Sequence, residues 1–219
     1  MSERPATPAH PTTPPQRLYF SGDEEADRLL AADPLALLIG FTLDQQVTLQ
    51  KAFSGPLELR RRIGPYDAQR LAAIEPAALE AAFVSRPALH RFPAAMARRV
   101  QALAAAVVAD YGGDPSRIWS GASDAADLKR RLLALPGFGE MKAGTIVALL
   151  AKRFGLALPG LAAALPDHPT LGDVDSDEAR DRYQAGKRAH KAALRAGQSD
   201  AGGRRSDAGG RRSDATPDA

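Results

Sequence analysis

The stretch Leu135-Pro136-Gly137-Phe138-Gly139-Glu140-Met141-Lys142-Ala143 is the most informative part of the 219-residue chain. Apolar residues at helical spacing precede it, and Pro136 ends the incoming helix because proline has no amide hydrogen to donate. Gly137 and Gly139, with one apolar residue between them, allow the backbone to turn tightly. The stretch therefore predicts two helices joined by a short turn, and we call residues 135–143 the hairpin.

The hairpin also predicts a site for phosphate. Its glycines leave consecutive backbone N–H groups uncovered at the start of the second helix, where the helix dipole has its positive end. Phe138 is expected between the two helices, and Lys142 is expected to reach an adjacent phosphate. An ordinary Gly-rich connection is the alternative. The Leu-Pro pair, the apolar residue between the glycines and the small Ala143 all favour phosphate binding.

Periodic apolar residues on both sides of the hairpin predict further helices. Asp33-Pro34 is typical of a helix start, and the apolar pattern that follows it runs to about Phe53. A shorter helix is expected after Gly55-Pro56, with Arg60-Arg61-Arg62 on its outer side, and Ser123 is expected to cap the helix that enters the hairpin. The other helices are expected over residues 68–73, 76–84, 93–111, 140–154 and 177–195.

Composition supports an all-α fold, a bundle of short helices. Hydrophobic residues make up 44% of the chain and aromatic residues only 5%, which favours helices packed through aliphatic side chains over a β-sandwich. No stretch shows the alternation expected of a strand. The length allows one sizeable domain or two small lobes that share a cleft.

The two ends of the chain differ in composition from the middle. Residues 1–18 form a Pro-rich leader that cannot bury enough apolar surface to order itself, so it is expected to be disordered. The segment Ser199–Arg205 recurs identically at 206–212, and the tail, residues 197–219, is expected to be a flexible, solvated repeat. Residues 19–196 are therefore the predicted helical domain.

Several classes of protein are excluded by what the chain lacks. Its zero cysteines exclude a disulfide framework and any Cys-ligated zinc or iron–sulfur site, and its four histidines are not at metal-ligand spacing. We expect no metal and no cofactor. No apolar run reaches membrane-spanning length, and no signal peptide is recognisable, so a cytoplasmic protein without a membrane partner is expected. Nothing in the sequence indicates a dimer, so a monomer is expected.

A second stretch, Leu43-Asp44-Gln45-Gln46-Val47, joins the hairpin in a resemblance. Together they resemble the helix-hairpin-helix (HhH-GPD) base-excision DNA glycosylase superfamily, in its cluster-free bacterial type, over residues 32–154. In that superfamily a glutamine after an upstream helix fills the gap left by a flipped base. The resemblance implies this role for Gln45 or Gln46 and double-stranded DNA as the partner. The alternative is two solvent-facing helix residues.

The resemblance also bears on catalysis. Bifunctional members carry a lysine two residues after the second hairpin glycine, and Met141 stands there, which argues against a lyase. Monofunctional members need a downstream aspartate, but residues 143–166 contain no acidic residue. Asp173 is the candidate, with Asp167 as the alternative. A capping role near the last helix is the competing interpretation of Asp173.

These features imply a monofunctional DNA glycosylase that hydrolyses the N-glycosidic bond of a damaged or mispaired base. Two alternatives stay open: a non-catalytic hairpin protein that binds damaged or bent DNA, and a helical scaffold without a nucleic-acid role. Four basic pairs and triplets are candidates for contacts with the DNA backbone: Arg98-Arg99, Lys129-Arg130-Arg131, Lys152-Arg153 and Lys187-Arg188.

Overall fold

The computed structural model of the chain describes residues 14–189 and 192–193, and this part contains helices, turns and loops but no strand. The prediction of an all-α fold is confirmed. The α-helices are α1 (Glu24–Ala32), α2 (Pro34–Leu43), α3 (Leu49–Ile63), α4 (Ala68–Ala73), α5 (Pro76–Val84), α6 (Pro93–Tyr111), α7 (Arg117–Ser120), α8 (Ala125–Leu133), α9 (Glu140–Phe154) and α10 (Leu161–Ala164). A 3₁₀ turn covers Leu171–Asp173, and residues 177–189 are helical.

Helix α2 is the centre of the core. Asp33 caps it by accepting the backbone N–H groups of Leu35 and Ala36, and Pro34 occupies the first turn, as predicted. Every residue of α2 after Pro34 is buried, so the helix is enclosed by protein on all sides. It packs against α1, α3 and α6. This position gives the turn that follows α2 a rigid base.

The predicted helix from Asp33 to about Phe53 is wrong, because the structure divides it at residues 44–48. Helix α2 ends at Leu43, Thr48 caps α3 through the N–H of Lys51, and Gln46 between them has a φ of 55°, which no α-helix accommodates. The predicted start at Gly55-Pro56 lies inside α3 instead. Burial of this part of α3 against α2 outweighs the missing amide hydrogen of the proline.

Four of the other predicted helices have the predicted bounds, namely α4, α5, α6 and α9. The predicted cap of α8 is wrong by one residue, since Asp124 rather than Ser123 accepts the N–H of Asp127, at 2.8 Å. Aspartate and serine are both good N-cap residues, so the local sequence does not show which of Ser123 and Asp124 caps α8.

The residues just before α1 are packed against the protein. Leu18 is fully buried and donates its N–H to the carbonyl of Asp27 at 3.0 Å. The buried Asp27 carboxylate accepts the N–H groups of Phe20 and Ser21 at 3.0 and 2.9 Å. Leu18, which the sequence assigned to the leader, thus belongs to the core, while residues 1–13 of the leader and the tail lie outside the described residues.

The helices before residue 181 fall into two groups within one compact unit. Helices α1–α6 pack on one another, and α8, α10 and the 3₁₀ turn pack on α9. A second unit begins at Asp181, and there Lys187 Nζ lies 5.3 Å from the ring centroid of Tyr183. None of the helices in the described residues is both long and apolar enough to cross a membrane.

Candidate nucleic-acid interface

The hairpin is a tight turn between α8 and α9. The N–H groups of Leu135 and Phe138 bond to the carbonyls of Leu132 and Leu135, at 3.2 and 3.1 Å, which carries the chain out of α8. Gly137 then adopts a φ of 82°, in the left-handed region that side chains disfavour. Its conformation alone therefore requires glycine.

Gly139 is different, because nothing inside the protein requires glycine there. It is the N-cap of α9 with φ −114° and ψ −180°, an extended conformation open to any residue. A Cβ atom added to it would meet no other atom within 4 Å. No side chain caps α9, so the backbone N–H groups of its first turn face outward from a surface that a partner can approach closely.

Phe138 is buried, as predicted, and so is the ammonium of Lys142, although the residue as a whole is partly exposed. Its Nζ atom is inaccessible to solvent, has no hydrogen-bond partner in the structure and lies 5.7 Å from the ring centroid of Phe138. Burial lowers the pKa of Lys142 to about 8. The predicted contact between this ammonium and a phosphate would require the side chain to leave its position.

The charged side chains around the hairpin are mostly paired within the protein. Lys129 on α8 contacts Glu140 in the first turn of α9 at 2.7 Å. Arg130 and Arg131 both bond to Asp127, and Arg98 lies 3.5 Å from Glu80. The Lys129–Glu140 and Arg98–Glu80 pairs are exposed, and such pairs exchange partners at little cost in free energy, so Lys129 and Arg98 remain able to contact a DNA backbone. Arg131 is different, because it and the Asp127 side chain are largely buried.

The second predicted element, the Gln45–Gln46 pair, lies in the turn between α2 and α3. Both the side chain and the backbone of Gln45 are hydrogen-bonded within the protein. Its side-chain Nε2 donates to the carbonyl of Thr42 at 3.0 Å, its Oε1 accepts from Arg99 Nη1 at 2.5 Å, and its backbone carbonyl lies 2.8 Å from His90 Nε2. Its amide is therefore occupied within the protein.

Gln46 has the opposite character. Its side chain is exposed, and its backbone occupies the left-handed region, with a φ of 55°. Such a conformation is uncommon for a residue other than glycine, and it persists where the surroundings hold it. Of the two glutamines that the sequence left as alternatives, the structure presents Gln46 to solvent and anchors Gln45.

The glutamine turn and the hairpin lie close enough to interact electrostatically. The charge of Asp44, at the end of α2, raises the pKa of Lys142, and the charge of Arg99 lowers it. Arg99 is also the residue that bonds to Gln45. The two elements predicted to contact DNA, 89 or more positions apart in the chain, are therefore close together in space.

The structure places Asp173 away from the start of α9. Its Oδ1 bonds to Lys152 Nζ at 2.6 Å, and its Oδ2 accepts the N–H of Thr170 at 2.8 Å as part of a capping box. Partial burial raises the pKa of Asp173, but the bonds from Lys152 and Thr170 outweigh it and lower the pKa below its ordinary value. Lys152 is ten positions after Lys142, about 15 Å along the helix axis.

Asp173 is thus an ionised carboxylate with a clear structural role in the 3₁₀ turn. It does not cap the last helix, which was the competing interpretation, since Ser176 accepts the N–H of Ala179 there. Asp167, the alternative, is fully exposed beside His168, whose Nδ1 is 3.3 Å from its carboxylate. An exposed carboxylate on a bend lacks the enclosed surroundings typical of a catalytic site. Among the described residues, no group of three or more His, Asp or Glu side chains is arranged to hold a metal ion.

Two residues that support the glutamine turn and the loop beside it, His90 and Arg62, were not predicted from the sequence. His90 is only 2% exposed and contacts the glutamine turn. Arg62 was expected to face outward, but its side chain is only 13% exposed and bonds to the carbonyls of Ala82, Ser85 and Pro87. Neither contact has a local sequence signal, since each joins elements distant in the chain.

Comparison with protein-family models, curated proteins and solved structures finds no match to this chain. The interpretation of the surface therefore depends on its geometry and chemistry.

Proposed function

We propose that this protein binds double-stranded DNA in base-excision repair, with the hairpin on a phosphate and Gln46 directed at the base stack. The backbone N–H groups at the start of α9 are the donors for the phosphate oxygens. Gln46 carries an amide that both donates and accepts, which suits the unpaired base opposite a flipped or missing nucleotide.

The observation that carries the proposal is the environment of Gly139. Neither its backbone conformation nor its packing requires glycine, and the space beside it is open. A partner whose backbone must approach α9 closely accounts for the missing side chain. A scaffold protein without such a partner would gain from a serine or aspartate there, because those residues cap a helix better than glycine.

Gly139→Val tests this proposal, with Gly144→Ala as a matched control on the same helix. The valine methyl groups would occupy the space where a phosphate approaches, so we expect duplex affinity to fall at least about tenfold while the protein stays folded. A Cβ at Gly144 would make only an ordinary contact, 3.7 Å from Pro166, so the control should bind like the wild type. Fluorescence anisotropy with a labelled duplex at two salt concentrations measures both. Equal affinity for all three proteins would contradict the proposal.

The neighbouring positions of the hairpin and the Gln46 turn favour a second, more specific candidate, a monofunctional N-glycosylase. In that reaction a carboxylate stabilises the positive sugar as the bond to the base breaks, and water then adds to the sugar carbon. Asp173 is the predicted carboxylate, and its bonds to Lys152 and Thr170 support instead the non-catalytic alternative, a protein that binds damaged or bent DNA.

Base release from duplexes with defined lesions separates these two candidates. If Asp173 is catalytic, Asp173→Asn abolishes release, while Lys152→Met, which breaks the same ion pair but keeps the carboxylate, preserves it. If Asp173 only stabilises the 3₁₀ turn, the two variants lower the melting temperature alike and affect release alike. Absence of release by the wild type across lesions, with duplex binding intact, would leave the non-catalytic candidate.

A further inference from the structure

His90 bridges the loop before α6 and the glutamine turn after α2. Its Nδ1 accepts the backbone N–H of Phe92 at 3.0 Å, and its Nε2 lies 2.8 Å from the backbone carbonyl of Gln45. Phe92 is the residue that precedes α6, and Gln45 follows α2. The imidazole therefore connects the start of α6 to the glutamine turn.

These two bonds define the protonation state of the ring. A carbonyl oxygen only accepts, so Nε2 carries a hydrogen and donates it to Gln45. A backbone N–H only donates, so Nδ1 carries none. The neutral Nε2–H form satisfies both partners, whereas a second proton would set two donors against each other at Nδ1. Burial lowers the pKa of His90, which supports the neutral form.

The loop that carries His90 is itself held firmly. The Arg62 guanidinium, on α3, donates to the carbonyls of Ala82 and Ser85 at 2.7 and 2.8 Å and to that of Pro87 at 2.7 Å. Three carbonyls on one partly buried guanidinium restrict the chain that leads to His90. His90 thus provides a fixed point to which the glutamine turn is attached.

The turn needs such an attachment because of Gln46. A left-handed conformation is unfavourable for glutamine, and the residue before it is bound at its backbone carbonyl by His90 and at its side chain by Arg99 and Thr42. The Gln45 carbonyl belongs to the peptide unit that joins Gln45 to Gln46. Holding this peptide unit restricts the rotation that would return Gln46 to a common conformation.

We propose that His90 is a positioning residue that holds Gln46 in its left-handed conformation, through the carbonyl of Gln45, so that the Gln46 amide is directed at unpaired bases in DNA. This inference rests on the proposed function for its DNA half. Its structural half, the dependence of the Gln46 conformation on His90, concerns the protein alone.

Two substitutions at His90 separate its two bonds. Glutamine places an amide near the Nε2 position and keeps a donor for the Gln45 carbonyl, whereas asparagine places an acceptor near the Nδ1 position and keeps only the bond from Phe92. In the full chain without DNA, Cα and Cβ chemical shifts report whether Gln46 is left-handed. We expect His90→Gln to retain the wild-type shifts and His90→Asn to lose them. Wild-type shifts in His90→Asn would overturn the proposal.

A double-mutant cycle then tests the DNA half, with a duplex containing a tetrahydrofuran abasic-site analogue as the probe. We expect His90→Asn and Gln46→Ala each to weaken binding about tenfold, and the double variant to bind no worse than Gln46→Ala, because His90 acts through the Gln46 side chain. His90→Gln should bind like the wild type. Equal effects of His90→Asn with and without the Gln46 side chain would show that His90 acts otherwise and would overturn the proposal.

Gln45→Ala provides a second cycle if His90→Asn fails to fold, since the Gln45 side chain is only partly buried. Its effect should likewise disappear in the Gln46→Ala background, and its persistence there would overturn the proposal. The conformation of Gln46 could depend on His90 in the free protein while the wild type binds no duplex. In that case the proposed function fails, and the DNA half of this inference fails with it. If the wild type binds and the cycles are additive, only this inference fails.

Discussion

Among the described residues, none accepts a hydrogen bond from the buried ammonium of Lys142. Its pKa falls from the ordinary 10.5 to about 8 because burial disfavours the charged form. At neutral pH both the folded and the unfolded chain carry this proton, so the folded state bears the full penalty of the buried ammonium. Lysine at this position therefore opposes stability.

Lys142→Met should stabilise the protein, because it replaces the ammonium with an apolar group of similar length. A difference between pKa values of 10.5 and about 8 corresponds to about 3 kcal/mol, so we expect a gain of about 1–3 kcal/mol at pH 7. Because folding lowers the pKa of Lys142, the stability of the wild type depends on pH. Between pH 8 and 10.5 the unfolded chain binds more protons, so wild-type stability rises toward that of the variant. Urea unfolding at several pH values measures this, and a less stable variant at pH 7 would refute it.

His90 predicts a pH dependence on the acid side. Burial lowers its folded pKa below the ordinary 6.5, and the charges of Arg99 and Lys51 lower it further against the opposing effect of backbone carbonyls. The unfolded chain then binds the proton first, so the stability contribution is complete above about pH 6.5 and is lost as the pH falls toward the folded pKa.

We expect the wild type to lose more stability between pH 7 and pH 5 than His90→Gln, which has no ionisable group at that position. The difference between the two proteins removes the contribution of carboxylates, which is common to both. Thermal unfolding across this range provides the measurement. Parallel pH profiles would show that the His90 ring does not titrate differently in the folded and unfolded states.

At the scale of elements, the contact between α2 and α3 depends on a glycine. A Cβ at Gly40 would lie 2.6 Å from Cδ1 of Phe53. That ring is held between Phe20 and Phe41, with centroid distances of 5.0 and 5.2 Å, so it has no free space to enter. Glycine has a low helix propensity, but at this position it allows α2 and α3 to pack closely.

Gly40→Ala should therefore destabilise the protein by about 1–3 kcal/mol, because overpacking outweighs the helix-propensity gain of about 1 kcal/mol. Gly144→Ala on α9 is the control, since its Cβ would meet only Pro166 at 3.7 Å. There the propensity gain remains, and we expect a stabilisation of about 0.5–1 kcal/mol. Chemical denaturation compares the two, and a stabilised Gly40→Ala would show that Phe53 can move.

The elements also show which sequence signals were sufficient. Helix α6 begins at Pro93 and ends before Gly112, and α9 lies between Gly139 and Gly155. Proline and glycine set these ends because they act on the local backbone and need no partner elsewhere in the chain. The pair Gly55-Pro56 carried the same kind of signal, yet it lies within α3. There the burial of a long segment against α2 competes with the local preference and wins.

At the scale of the whole molecule, the proposed interface draws on both groups of helices. The hairpin belongs to the group around α9, while the glutamine turn and His90 belong to the group formed by α1–α6. A duplex held by both is expected to bind more tightly than either element could bind it, because the second contact forms within the complex already made by the first.

Removing the tail, residues 197–219, tests whether its arginines contribute to duplex affinity independently of the hairpin. A Gly- and Arg-rich segment contacts phosphates without sequence or shape preference, so its removal should lower duplex affinity most at low salt. The ratio of affinities between wild type and Gly139→Val should be the same with and without the tail. A ratio that falls to one in the truncated protein would mean that the hairpin effect depended on the tail. Anisotropy titrations at two ionic strengths give both values.

The sequence by itself determined the all-α class, the bounds of four helices and the tight turn at Gly137, because helical periodicity, caps and left-handed glycines are properties of short segments. It also identified Gln45 and Gln46 as a pair, without distinguishing them. Only the tertiary structure anchored Gln45, exposed Gln46, buried Lys142 and placed His90 against the turn. Each of these outcomes depends on atoms from helices far apart in the chain, brought together by burial of the core around α2, and no short segment contains that information.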